Sequence, residues 1–145
     1  MEQHKIENFE REEGKNFPSF RELEKEECKK IYHCVAKKLN LPEDVSDLDL
    51  VKKLDSIGVF VDGVNAEDED FNLIELLKKK QIREPREVFI NWYRFDAIDA
   101  MNLDDVVKYF SDIWYPGSDD IDIFDETLTW FISVRHDGII KIAKV

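Results

Sequence analysis

Apolar residues recur along this chain in two rhythms, and the change from one to the other predicts its architecture. Phe20, Leu23, Cys28, Ile31, Val35 and Leu39 fall at roughly helical spacing, as on one face of a helix. Ser19-Phe20-Arg21-Glu22 reads as a capping box, in which hydroxyl and carboxylate each satisfy a backbone donor. A helix is therefore expected from there to about Asn40, with Pro42 barring its continuation. Ser46 precedes a second such run, Leu50, Val51, Leu54 and Ile57, with Gly58 expected as a left-handed terminator. A third helix is expected over about 66–80. Acids at 67–70 stand before Phe71, Ile74, Leu76 and Leu77, and Lys78, Lys79 and Lys80 close the run, matching a helix dipole. Asn102 is placed to cap a fourth helix, with Val106, Val107, Phe110 and Ile113 on one face and Pro116-Gly117 at its end.

The other rhythm has a period of two. Val59-Phe60-Val61 suggests a short strand, and the β-branched and aromatic run from Val88 to Tyr93 a longer one. Ile121 and Ile123 alternate with Asp120 and Asp122. Leu128, Trp130, Ile132 and Val134 alternate with Thr129, Phe131 and Ser133, and a turn at 135–138 leads to Ile139–Val145. A two-residue Asp-Gly loop would pair Val134 with Lys141. A three-residue loop with Gly138 left-handed pairs Val134 with Ile140 and Ile132 with Ile142, keeping apolar residues on one face, so the second register is expected. The pattern predicts an α+β fold: N-terminal helices packed on one face of a mainly antiparallel sheet, ending in a C-terminal meander. A single domain over 1–145 is expected, with 1–18 as a frayed helix or peripheral arm.

Composition agrees with a globular chain. Of 145 residues, 43% are hydrophobic, enough for a core that needs no metal or disulfide staple. Cys28 and Cys34 lie six apart on one predicted helix and project from different faces, so they are expected as free thiols, which suit a reducing compartment. The start is highly charged and no apolar run approaches a membrane span. The expected location is the cytoplasm.

Candidate chemistry is sparse. No glycine-rich loop joins a strand to a helix, which argues against nucleotide-driven activity. Cys28, His33 and Cys34 share no helix face suited to zinc. Ser133 and His136 have opposite strand parity, which disfavours a nucleophilic triad. Asp119, Asp120, Asp122, Asp125 and Glu126 form an acidic run. Counted from Asp120, however, Asp125 stands where a calcium loop needs Gly, and Phe131 where it needs Glu. No cofactor, no metal and no enzymatic activity are expected, a carboxylate-metal hydrolase being the lesser alternative.

Charge changes the picture. The net charge is −12, which disfavours nucleic acid and anionic membrane as partners. Residues 95–126 hold ten acids and a single base, Lys108, and so carry nine of the twelve net negative charges. Trp114-Tyr115-Pro116-Gly117 lies between a predicted helix and a predicted strand and is expected to be exposed. Trp114, Tyr115, Asp119, Asp120, Asp122 and Asp125 are therefore the expected contact residues for a basic protein partner, the acids steering encounter and the aromatics anchoring it.

The run from Trp114 to Glu126, followed by Trp130 and the His136-Asp137-Gly138 turn, resembles the C-terminal half of small bacterial proteins, some grouped with the immunity proteins of toxin systems. The resemblance covers the last third of the chain. It implies an inhibitor of a basic toxin such as a nuclease; a bacterial adaptor or recognition domain is the alternative.

Overall fold

The computed structural model describes residues 1–145. In chain order the elements are α1 (Gln3–Glu13), β1 (Phe20–Glu22), α2 (Lys25–Lys38), α3 (Asp47–Ile57), β2 (Val59–Phe60), α4 (Leu73–Lys79), β3 (Glu87–Asn91), β4 (Ile98–Asn102), α5 (Leu103–Lys108), α6 (Phe110–Ile113), β5 (Ile121–Phe124), β6 (Trp130–Val134) and β7 (Ile140–Lys144). The seven strands form one antiparallel sheet in the order β1-β4-β3-β5-β6-β7-β2. The α+β class expected from the two rhythms is the class that forms.

The helices divide between the two faces of the sheet, where the sequence suggested one. Val88, Ile90, Met101, Ile121, Ile123, Trp130, Ile132, Val134, Ile140 and Ile142 meet α4, α5 and α6 in one core. Ile98, Ala100, Phe124, Phe131 and Ala143 meet α2 and α3 in the other. The reason lies in β5 and β6, whose residues are buried at every position. A strand that is apolar on both parities must be covered on both sides.

Several boundaries move for identifiable reasons. Phe20–Glu22 is an edge strand, pairing Phe20 with Met101 of β4, rather than the first turn of a helix. α2 starts at Lys25 under a capping box made by Glu24 and Glu27. β4 was not anticipated, because Asp99 and Asn102 interrupt its apolar pattern. Gly58 has φ −67° and is not left-handed. A Cβ there would lie 3.1 Å from Cβ of Lys141, so glycine serves the close approach of the α3–β2 corner to β7. The third helix is only Leu73–Lys79, because Asn72 caps it by accepting from the Glu75 N–H at 3.1 Å. The Ser46 and Asn102 caps form as expected.

The hairpin takes the expected register, Val134 opposite Ile140 and Ile132 opposite Ile142. Gly138 has φ +83°, and a Cβ on it would fall 1.9 Å from Oδ1 of Asn65. That side chain accepts from the Glu67 N–H at 2.8 Å and donates to the Asp137 carbonyl at 3.3 Å. No helix is long and apolar enough to cross a membrane. Gly138→Ala is expected to lower unfolding free energy by about 1–2 kcal/mol through left-handed strain alone, and further through displacement of Asn65. Urea unfolding checks this, and an unchanged midpoint would contradict the turn geometry.

Candidate functional site

The six contact residues expected from sequence do not form one surface. Asp119 is buried and ion-paired with Lys5, and it accepts the Tyr115 N–H at 2.8 Å. Trp114, expected to be exposed, is buried: its indole stacks on Phe110 at 5.8 Å and donates Nε1–H to the Asp119 carbonyl at 2.9 Å. Tyr115 is half-buried, its hydroxyl 3.2 Å from Nδ2 of Asn8. Asp120 accepts from the backbone N–H of His136 at 2.8 Å and meets its Nδ1 at 3.0 Å. Asp122 has no solvent contact. Asp125 is also buried and binds the Thr127 N–H at 3.0 Å. A further acid of the same stretch, Asp99, takes the Trp92 indole N–H at 2.8 Å and the Met1 amino group. The continuous acidic face expected from residue counting is thus replaced by separate, internally compensated carboxylates. Strand alternation and pairing with distant cations divide them.

What the fold does assemble is a cleft of about 440 Å³ at the β2 side of the sheet. Four cross-strand pairs set a row along one sheet face: Asn91 with Asp122, Asp122 with Ser133, Ser133 with Lys141, and Lys141 with Phe60. Asp122 accepts from Ser133 Oγ at 2.6 Å, Asn91 Nδ2 at 3.2 Å and Arg135 Nη2 at 3.3 Å. Burial pushes its carboxyl above the usual range, against the pull of the Arg135 charge and of the Ser133 and Asn91 hydrogen bonds. Asp55 of α3 reaches down to Lys141 Nζ at 3.0 Å and Arg135 Nε at 3.7 Å. The Lys141 ammonium stands 4.7 Å over the Phe60 ring. Arg135 Nη1 is buried without a partner.

The opposite wall comes from the β3–β4 loop, where Tyr93 has φ +90° and Phe95 φ +60°. Such backbone holds roughly 1–3 kcal/mol of strain per residue and persists only where its surroundings fix it. Asn91 helps to fix it by accepting the Phe95 N–H at 2.7 Å. A tight-turned aromatic, an under-bonded guanidinium and an exposed Phe60 therefore border one concavity. Ser133 is buried and does not line it, its hydroxyl being engaged by Asp122, and the lining His136 is engaged by Asp120, so no nucleophile–base pair forms there. Asp122 itself lies out of a ligand's reach. Its work is to hold Arg135 in place, and the arrangement suits recognition better than proton transfer.

A larger hollow of about 750 Å³ lies at Gln81–Glu87, beside Asp125, Thr127 and Trp130. It mixes exposed Arg83, Arg86, Glu84 and Glu87, has left-handed backbone at Gln81 (φ +58°), and holds no unpartnered buried group and no exposed large aromatic, which places it second. No group of His, Cys, Asp or Glu converges in a way that could hold a metal ion.

No family model, curated protein or solved structure matches the chain. Asp55, Phe60, Tyr93, Arg135 and Lys141 escaped sequence reasoning. By sequence Arg135 belongs only to the turn at 135–138, and nothing local pointed to Asp55 or Tyr93.

The raised Asp122 carboxyl sets a pH test. Its proton is held more tightly in the folded state, so its contribution to stability is fully present below the unfolded value of about 3.9 and is lost as pH rises through the raised folded value. The stability of the wild type relative to Asp122→Asn is expected to fall as pH rises above about 4. Urea unfolding of both chains across that range measures the difference, and a flat difference would contradict a perturbed carboxyl.

Proposed function

We propose that this domain is a protein-recognition module that docks its partner along the β2 edge and the adjoining cleft. The supporting observation is the distribution of exposed large apolar side chains. Val59 is 67% exposed, Phe60 58% and Ile139 40%; the other two such residues, Leu48 and Val145, are each only 37% exposed. Phe60 and Ile139 both line the cleft. Val59 faces the other side of β2, while the paired exposure of Phe60 and Ile139 is of the kind that marks interaction sites, a half-exposed aromatic beside a pocket being a typical anchor.

The backbone favours one mode of docking. Val61 N–H bonds inward to the Ile140 carbonyl at 3.0 Å, so by antiparallel alternation the Phe60 amide and carbonyl point away from the sheet. An extended segment of a partner can add to that edge by main-chain hydrogen bonds, setting an apolar side chain against Phe60 and Ile139. Within the cleft Asp55 and Asp120 are already engaged by Lys141 and His136, so an apolar side chain suits the partner better than a charged one. This reading keeps a protein partner and moves the contact away from the acidic run. An immunity-type inhibitor of a toxin is one form such a module takes, and here it would grip through the cleft.

Association through an apolar edge resists salt, whereas steering by an acidic face would not. Affinity capture from the source cell with the wild type, Phe60→Asp and the distant surface variant Glu43→Lys tests the surface. A protein is expected to be retained at about 0.5 M salt by the wild type and Glu43→Lys, and lost by Phe60→Asp. Equal retention by all three, or loss at modest salt, would remove the cleft as the docking site.

A further inference from the structure

The most completely built polar site outside the cleft surrounds a lysine. Lys5 is 1% exposed. Its ammonium donates to the Ile113 carbonyl at 2.7 Å and to Asp119, and lies 4.3 Å from the Trp92 ring centroid and 4.7 Å from that of Tyr115. Two aromatic faces, a carboxylate and a carbonyl are the groups that recognise an alkylammonium. The walls also have braces outside α1, although the Tyr115 ring takes contacts from Asn8 and His4 of α1. The Trp92 indole is tied to Asp99, the Tyr115 backbone to the Asp119 carboxylate, and the Trp114 indole to the Asp119 carbonyl.

The helix that supplies the lysine is held at a few points, namely Lys5, Phe9, the preceding Met1 amino group on Asp99, and the His4 and Asn8 contacts to Tyr115. Of its eleven residues only Lys5 and Phe9 are buried. An isolated helix of this length is marginal in water. Its C-terminal turn also meets its own charge: Glu12 and Glu13 approach Asp112, whose carboxyl is raised by burial and by these two acids. The helix then ends at a left-handed Gly14, which frees the chain to turn. Attraction at Lys5 and Phe9 thus works against repulsion at the other end.

We propose that Trp92, Tyr115, Asp119 and the Ile113 carbonyl form a lysine-recognition cage, which α1 closes with Lys5 and which a lysine side chain of a partner protein enters when α1 lifts. A basic segment suits the site, because it would bring the ammonium without the acids that α1 sets against Asp112. Tyr115 and Asp119, expected from the sequence as contacts for a basic partner, face the chain's own Lys5 here. This site stands apart from the cleft reading and does not depend on it.

The test uses the full chain with Lys5→Ala and the probe Nα-acetyl-lysine methylamide, its norleucine counterpart serving as the control without an ammonium. The variant is expected to melt below the wild type. Millimolar lysine probe should raise its melting temperature and shift the Trp92 indole NMR resonance saturably. The norleucine probe should bind at least about tenfold more weakly, as should the lysine probe to the closed wild type. Equal response to both probes, or response to neither, overturns the proposal. Where Lys5→Ala does not fold, Phe9→Ala replaces it. That variant keeps the cage and Lys5 while loosening α1, which should speed amide exchange in α1 and strengthen lysine-probe binding over the wild type. Faster exchange without stronger binding overturns the proposal equally.

Discussion

A carboxylate without solvent lies in the middle of the sheet, and much of the architecture answers to it. Taking an ion such as Asp122 out of water carries a penalty of several kcal/mol unless donors surround it. Here the donors come from β3, from β6 and from Arg135 just beyond β6. Arg135 must then lie along the sheet face rather than extend into water, and its charge in turn draws Asp55 of α3. Asp55 also takes Lys141 of β7, so one polar row reaches from the centre of the sheet to its edge and fixes where α3 sits. The cleft is the space that this row leaves beside Phe60 and Tyr93.

The same principle operates at the other acidic position near β5. Asp119 is buried against Lys5, and the pair, with Phe9, anchors a helix whose other residues are mostly polar and exposed. Both sites therefore convert acids that look like surface charge into internal fasteners. The negative charge left outside is spread over α1, the start of α2, the Glu67–Asp70 stretch and several loops, segments without a shared apolar anchor. Net charge of this scattered kind governs solubility and general repulsion from polyanions rather than a defined contact.

Recognition here rests on backbone exposure as much as on side chains. β2 has two residues, and it presents Phe60 on one side and Val59 on the other while its outer hydrogen-bonding groups stay free. Natural sheets usually protect such an edge. On this chain it is short and lies next to a charged cleft, which limits self-pairing while leaving room for an extended partner. The lysine cage works by the opposite principle, the chain's own Lys5 filling a site lined by Trp92, Tyr115 and Asp119.

The amino-acid sequence by itself determined the local periods: helices at 3.6, strands at two, the Ser46 and Asn102 caps, and the C-terminal register that Gly138 permits. These depend on neighbours a few residues apart, so they can be read along the chain. Folding alone decided that both sheet faces would be covered, that Phe20–Glu22 would pair with β4 instead of starting a helix, and which acids would vanish into the interior. Asn91 meets Asp122 across 31 residues, and Lys5 meets Asp119 across 114. Charge counted in a sequence window has no direction. Alternation and long-range pairing give it one, and only the assembled sheet supplies both.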